Sequence, residues 1–116
     1  MAMANRVRAV ARYIRISPYK ARLVCNLVKG MRAEDALSVL RFTPKKAARY
    51  VEKLIRSAVA NAENNYGLSP ADLYVVDIRA DDGPRYKRVR FAARGRVRPI
   101  LKRTTHLTVV LEERMD

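Results

Sequence analysis

The sequence predicts an α+β fold: three helices packed on one face of a small three-stranded antiparallel sheet, with a long protruding β-hairpin. Three observations predict it. Ser17-Pro18 and Thr43-Pro44 each open a segment whose apolar residues recur at helical spacing. The start of the chain and the segments Leu73 to Ala80 and Thr105 to Glu113 alternate as half-buried strands do. Between the last two strands lies a basic stretch with no acid from Gly83 to Arg103. At 116 residues this is expected to be one domain. Its globular part is placed at 1–80 and 104–116, and its extended hairpin at about 81–103.

Val7, Ala9, Ala11 and Tyr13 alternate with Arg6, Arg8, Val10 and Arg12, which predicts a first strand with one wet, basic face. Ser17 then caps a helix and Pro18 fills its first position, where a missing N–H costs nothing. That helix is expected to reach about Lys29, to end at Gly30, and to bury Leu23, Val24, Leu27 and Val28 around Cys25. A short second helix fits Ala33 to Arg41, with Glu34 and Asp35 in the first turn, where the helix dipole favours anions. After Thr43-Pro44, the residues Ala47, Ala48, Val51, Leu54, Ile55, Ala58, Val59 and Ala62 mark one apolar face. Asn64, Asn65 and Gly67 end this third helix.

In the closing strand Leu107, Val109 and Leu111 are expected to face the core. Pairing it with the previous strand around Val76 and Val109 puts the hairpin midpoint at Ala92-Ala93. Arms of about ten residues would then project roughly 33 Å at ~3.3 Å per residue. The radius of gyration of a compact domain this long is only ~13 Å.

Charge is the second message of the chain. Twenty-five basic and 11 acidic residues give a formal charge of +14, which favours a polyanionic partner. The stretch from Arg6 to Arg32 holds eight basic residues and no acid, and that from Gly83 to Arg103 holds nine and no acid. The middle of the chain is nearly neutral. In the hairpin, Arg85, Lys87, Arg88, Arg90, Arg94, Arg96, Arg98, Lys102 and Arg103 occupy both phases of the alternation. A two-stranded ribbon is marginal in water, so this arm is expected to gain its order from an external anion. Arginine predominates, which suits planar, multi-donor contact with phosphates and bases, and Tyr86 and Phe91 add stacking surfaces. A loop without fixed structure is the competing reading.

On the third helix, Lys45, Arg49, Lys53 and Arg56 recur at spacings of four, four and three. They form either a solvated face or a second binding stripe. Arg8, Arg12, Arg15, Lys20 and Arg22 favour the latter, because all would serve the same polyanion and make its binding salt-dependent.

Other function classes find little support. One cysteine and one histidine cannot build a structural zinc site or an internal disulfide. Cys25 reads as a small buried hydrophobe, and His106 as a hydrogen-bonded structural residue or an RNA contact. Asp81-Asp82 and Glu112-Glu113 do not make a metal pair, because neighbouring strand residues point to opposite faces. No catalytic residue, metal or cofactor is expected, and the protein is not expected to be an enzyme. No apolar run is long enough for a transmembrane helix, and no membrane role is expected. The Arg-rich, acid-free start is shared with transit peptides, but its alternation fits a strand, and a cytosolic location is expected.

Specific blocks carry a resemblance. Ala11-Arg12-Tyr13-Ile14-Arg15-Ile16-Ser17-Pro18-Tyr19-Lys20-Ala21-Arg22-Leu23-Val24 resembles the opening of the family of ribosomal protein twenty-two of the large subunit. Ser57-Ala58-Val59-Ala60-Asn61-Ala62-Glu63-Asn64-Asn65 resembles its long helix. Gly95-Arg96 with Ile100-Leu101-Lys102-Arg103-Thr104-Thr105-His106-Leu107-Thr108-Val109-Val110 matches its closing signature. The likeness covers essentially the whole chain, and the lack of long extensions looks bacterial.

The resemblance implies a structural constituent of the large ribosomal subunit that binds 23S-type rRNA, contacts several rRNA domains and supports early assembly. Its hairpin would line the polypeptide exit tunnel through Tyr86, Lys87, Arg88, Val89, Arg90, Phe91, Ala92, Ala93, Arg94 and Gly95. There it would face the fourth large-subunit protein near the constriction and touch the nascent polypeptide in passing. Tyr86 stands where the family often has Met, and Ala92 where it favours a basic residue. The alternative from another class is an architectural DNA-binding protein whose basic β-arms bend the minor groove.

Overall fold

The computed structural model describes residues 6–83, 86–91, 97–102 and 104–114. In chain order the elements are β1 (Arg6–Ile14), α1 (Pro18–Val28), α2 (Ala33–Arg41), α3 (Lys46–Tyr66), β2 (Leu73–Asp82), β3 (Tyr86–Phe91), β4 (Val97–Lys102) and β5 (Thr105–Glu113). The antiparallel sheet has the order β1-β5-β2, so the last strand is its centre. Composition explains why: Thr105, Leu107, Thr108, Val109 and Leu111 of β5 are all buried, and β-branched and apolar residues suit a strand flanked on both edges.

Residues directly opposite in the register share a face. Val7, Leu111 and Val75 form one row, and Ala9, Val109 and Ile78 the next. These rows meet the buried face of α3, which includes Ala48, Val51, Leu54, Ile55, Ala58 and Ala62. Repeated alanines on α3 bring its backbone close to the sheet. Full burial of each Val, Leu or Ile in this layer contributes about 1.5–3 kcal/mol.

The Ser-Pro start holds: the Ser17 hydroxyl accepts from the Lys20 amide at 3.3 Å, with Pro18 in the first turn. The stripe that α1 buries keeps the expected Val24, Cys25 and Val28 but not Leu23 and Leu27. Pro18, Ala21, Val24, Cys25 and Val28 face inward, while Leu23 and Leu27 are 41% and 49% exposed. Leu23 and Leu27 have the same helical spacing as Val24 and Val28. The small Ala21 and Cys25 decide between them, because they let α1 settle onto β2 where leucines would hold it off.

Thr43-Pro44 does not cap α3. The Thr43 hydroxyl instead donates back to the Val39 carbonyl at 2.7 Å, closing α2, and α3 begins two residues after Pro44 without a side-chain cap. At its other end Gly67 takes a left-handed φ of 65°. Its amide reaches the Glu63 carbonyl and the Leu68 amide reaches that of Ala62, which satisfies otherwise orphaned carbonyls.

The register also differs from the expected one. Val109 pairs with Ile78 rather than Val76, and a bulge in β2 between Val75 and Asp77 supplies one of the two positions of that shift. The free edge of β2 is covered there: the Gly30 amide donates to the Val75 carbonyl at 2.7 Å, and the Val75 amide to that of Met31 at 2.8 Å. Blocking an edge in this way removes a template for pairing with another chain.

Beyond Asp82–Thr105 the main ladder stops. A second ladder runs from Tyr86–Lys102 to Phe91–Val97 as a separate two-stranded sheet. The expected tip at Ala92-Ala93 lies outside the described residues. Among the described residues, β3 and β4 make their backbone contacts chiefly with each other. The molecule measures 67 × 28 × 21 Å with a Cα radius of gyration of 17.6 Å. A compact chain of this length would have ~13 Å, and the excess is consistent with a projecting arm.

Candidate nucleic-acid interface

The expected basic residues fall on four places. Arg8 and Arg12 lie on β1 and are exposed, and because Val7 turns inward, Arg8 belongs to the sheet face away from the helices. Lys45, Arg49, Lys53 and Arg56 are all exposed and run some 16 Å along the solvent side of α3 at 1.5 Å per residue. Arg15 and Lys20 meet Lys45 around one cleft of about 570 Å³ at the starts of α1 and α3. Lys45 thus joins the stripe on α3 to the basic residues near the N-terminus, which are distant in sequence.

Two members of the set have structural engagements. Arg56 is held by Glu52 at 2.7 Å, one turn away. The Nε of Arg22 donates to the Ala80 carbonyl at 3.1 Å, tying α1 to the end of β2. Both remain exposed, so each keeps guanidinium donors available, though Arg56 presents a partly neutralised charge.

On the arm, the register sets Tyr86, Arg88 and Arg90 opposite Lys102, Ile100 and Arg98, and sets Lys87, Val89 and Phe91 opposite Leu101, Pro99 and Val97. Alternate rows of a ladder belong to opposite faces. Four of the five basic residues on the ladder therefore share one set of rows, with Lys87 in the other. Arg85, Ala92, Ala93, Arg94, Gly95, Arg96 and Arg103 lie outside the described residues.

Sequence reasoning missed Lys46 and Tyr19, which line the same cleft. Tyr19 is 68% exposed beside Lys20, and an aromatic next to a cation just after a helix start was the available signal. His106 is placed by β5 and accepts the Tyr13 amide through Nδ1 at 3.1 Å. Its ring meets Tyr13 edge-on at 5.0 Å. This contact steadies Tyr13 in the bulge between Ala11 and Ile14, where its φ of 59° is unusual for a residue with a side chain.

Cys25 is 2% exposed, and burial pushes its thiol up to about 11, only partly offset by a backbone hydrogen bond. A thiol so rarely ionised is a poor nucleophile. Among the described residues no group of three or more His, Cys, Asp or Glu could hold a metal ion, and no helix is long and apolar enough to cross a membrane.

The family model described as ribosomal protein L22p/L17e matches residues 9–112. A large ribosomal subunit protein uL22 of Streptococcus pyogenes serotype M6 is 51% identical over 114 residues, 98% of this chain and 100% of the streptococcal one. A protein of the same name from Thermotoga sp. strain RQ2 is 55% identical over 107 residues, 92% of this chain and 67% of its own.

Proposed function

The chain belongs to the L22p/L17e family of ribosomal proteins, and from that premise we propose that it is a structural, rRNA-binding constituent of the large subunit in the bacterial cytoplasm. It contacts several domains of the 23S-type rRNA and supports early assembly. Its arm reaches through folded RNA to line the exit tunnel near the fourth large-subunit protein, with the nascent chain passing alongside. The whole chain acts as one domain whose sheet and helices anchor the arm. It has no catalytic role.

The observation that carries this reading is the second ladder. It is paired as a sheet of its own, and it lies in a stretch with nine basic residues and no acid. A two-stranded ribbon off the core is marginal in water, and an RNA mould supplies the missing stabilisation. Phosphates neutralise its guanidinium groups and replace the apolar partner that the core does not provide.

Replacing Arg88, Arg90, Arg94 and Arg96 together with Ala tests it. rRNA binding should weaken strongly while the melting temperature of the free protein stays nearly unchanged. A large fall in that melting temperature would place the arm in the core and overturn the reading. In competition, duplex DNA that displaces the protein from rRNA at equal concentration would favour DNA binding instead.

A further inference from the structure

We propose that the cleft between the starts of α1 and α3 holds one unpaired ribonucleotide, its base against Tyr19 and its neighbouring phosphates on Lys20, Lys45 and Lys46. This deepens the rRNA-binding reading and rests on it.

Three features of the cleft argue for that occupant. Its volume of about 570 Å³ lies within the range of small-ligand sites. Its floor is apolar: Ile16 and Ala47 are buried there, and Leu23 is half-exposed. Apart from Tyr19, its remaining lining is cationic, with Arg15 beside the three lysines and no carboxylate among the described residues.

Each feature alone is ordinary, but together they narrow the ligand. A phosphate backbone needs the cations and has no use for an apolar floor. A base inside a duplex keeps its faces stacked and cannot reach one. An unpaired nucleotide presents a flat apolar face between two anionic linkages, which is the pattern of this cleft.

Tyr19 supports the assignment from the side of the fold. It precedes Leu23 by one helical turn, and both lie outside the inward stripe of α1. Folding therefore leaves this aromatic surface 68% exposed at the rim of a basic cleft. Its ring carries only two side-chain torsions, so holding it against a base costs little conformational entropy.

The test uses the full chain with protein-free large-subunit rRNA and with a single-stranded hexaribonucleotide. Tyr19→Ala should weaken binding of both about five- to hundredfold, the range of base–aromatic stacking, without changing the salt dependence. Tyr19→Phe should bind like the wild type. Lys45→Ala and Lys46→Ala should each lower the slope of log affinity against log salt by roughly 0.7 to 0.9.

Unaltered melting of Tyr19→Ala would show that the loss is local. Wild-type affinity in Tyr19→Ala would overturn the cleft assignment alone. Hexaglutamate displacing the hexaribonucleotide at equal concentration would overturn it in favour of an acidic peptide. A wild-type protein that fails to bind rRNA would instead sink the broader reading, and the cleft with it.

Discussion

The Gly83 amide donates to the Thr104 carbonyl at 2.9 Å, and this bond joins the main sheet to the arm. A methyl group on Gly83 would stand 2.4 Å from the Thr104 hydroxyl oxygen and 3.3 Å from its carbonyl carbon. Thr104 is 2% exposed, and the atoms nearest such a methyl group belong to its short side chain and backbone. Gly83→Ala should therefore destabilise by about 1–3 kcal/mol, the usual cost of overpacking. Adding Thr104→Ala removes the hydroxyl and should recover part of that loss. A double-mutant cycle by chemical denaturation reads the coupling, and strictly additive effects would contradict the contact.

Neighbouring residues on α1 should respond in opposite ways. Val28 is fully buried, and Val28→Ala should cost about 2 kcal/mol from lost burial and the cavity left behind. Leu27 is 49% exposed, and Leu27→Ala should change stability by no more than ~0.5 kcal/mol. Urea midpoints of the two variants decide which stripe faces the core.

Cys25 gives the protein an alkaline weakness. Its thiol ionises near the ordinary value of 9.0 when unfolded and only at about 11 when folded. The folded state thus holds a proton that the unfolded state has lost, and stability falls as pH rises from 9 towards 11. Below pH 9 both states are protonated and the contribution is fully present. The loss is at most ~2–3 kcal/mol at 1.36 kcal/mol per unit. In Cys25→Ala that increment of alkaline loss should vanish, as measured by denaturation at pH 8, 9, 10 and 11.

Amide exchange should separate the two ladders. Leu107, Val109 and Leu111, central in the buried sheet, should be protected in the free protein. The amides from Val89 to Val97 should become protected in the assembled particle and exchange fast without it. Equal protection of that segment in both states would mean the arm needs no RNA to order.

The cations on α3 should not be equivalent. Arg49 and Arg56 are both exposed, but Arg56 already faces Glu52 at 2.7 Å. Arg49→Ala should reduce the salt slope of rRNA binding by about 0.9, the value for one released counterion. Arg56→Ala should reduce it less. Filter binding between 50 and 200 mM salt, on the order of the range used for such slopes, distinguishes them.

Periodicity and composition, both local properties, settled a great deal. Ser17-Pro18 opened α1, Ala33 to Arg41 is α2, Thr105 to Glu113 is β5, and the acid-free block from Gly83 to Arg103 marked the arm. The signature blocks likewise made the family legible before any coordinates. Where two local patterns fitted equally well, the sequence could not choose. Leu23 and Leu27 compete with Val24 and Val28 at the same spacing, and the approach of β2 to the small residues of α1 resolves them. The bulge at Val76 has no marker of its own, since it arises where the Gly30–Arg32 segment closes the edge of β2, and it shifts the register. The cleft is the clearest case, because Tyr19 and Lys46 are 27 positions apart in sequence and become neighbours only when α1 and α3 dock on one sheet. One-dimensional spacing encodes which face of an element is apolar, whereas distances between faces exist only after the chain has packed.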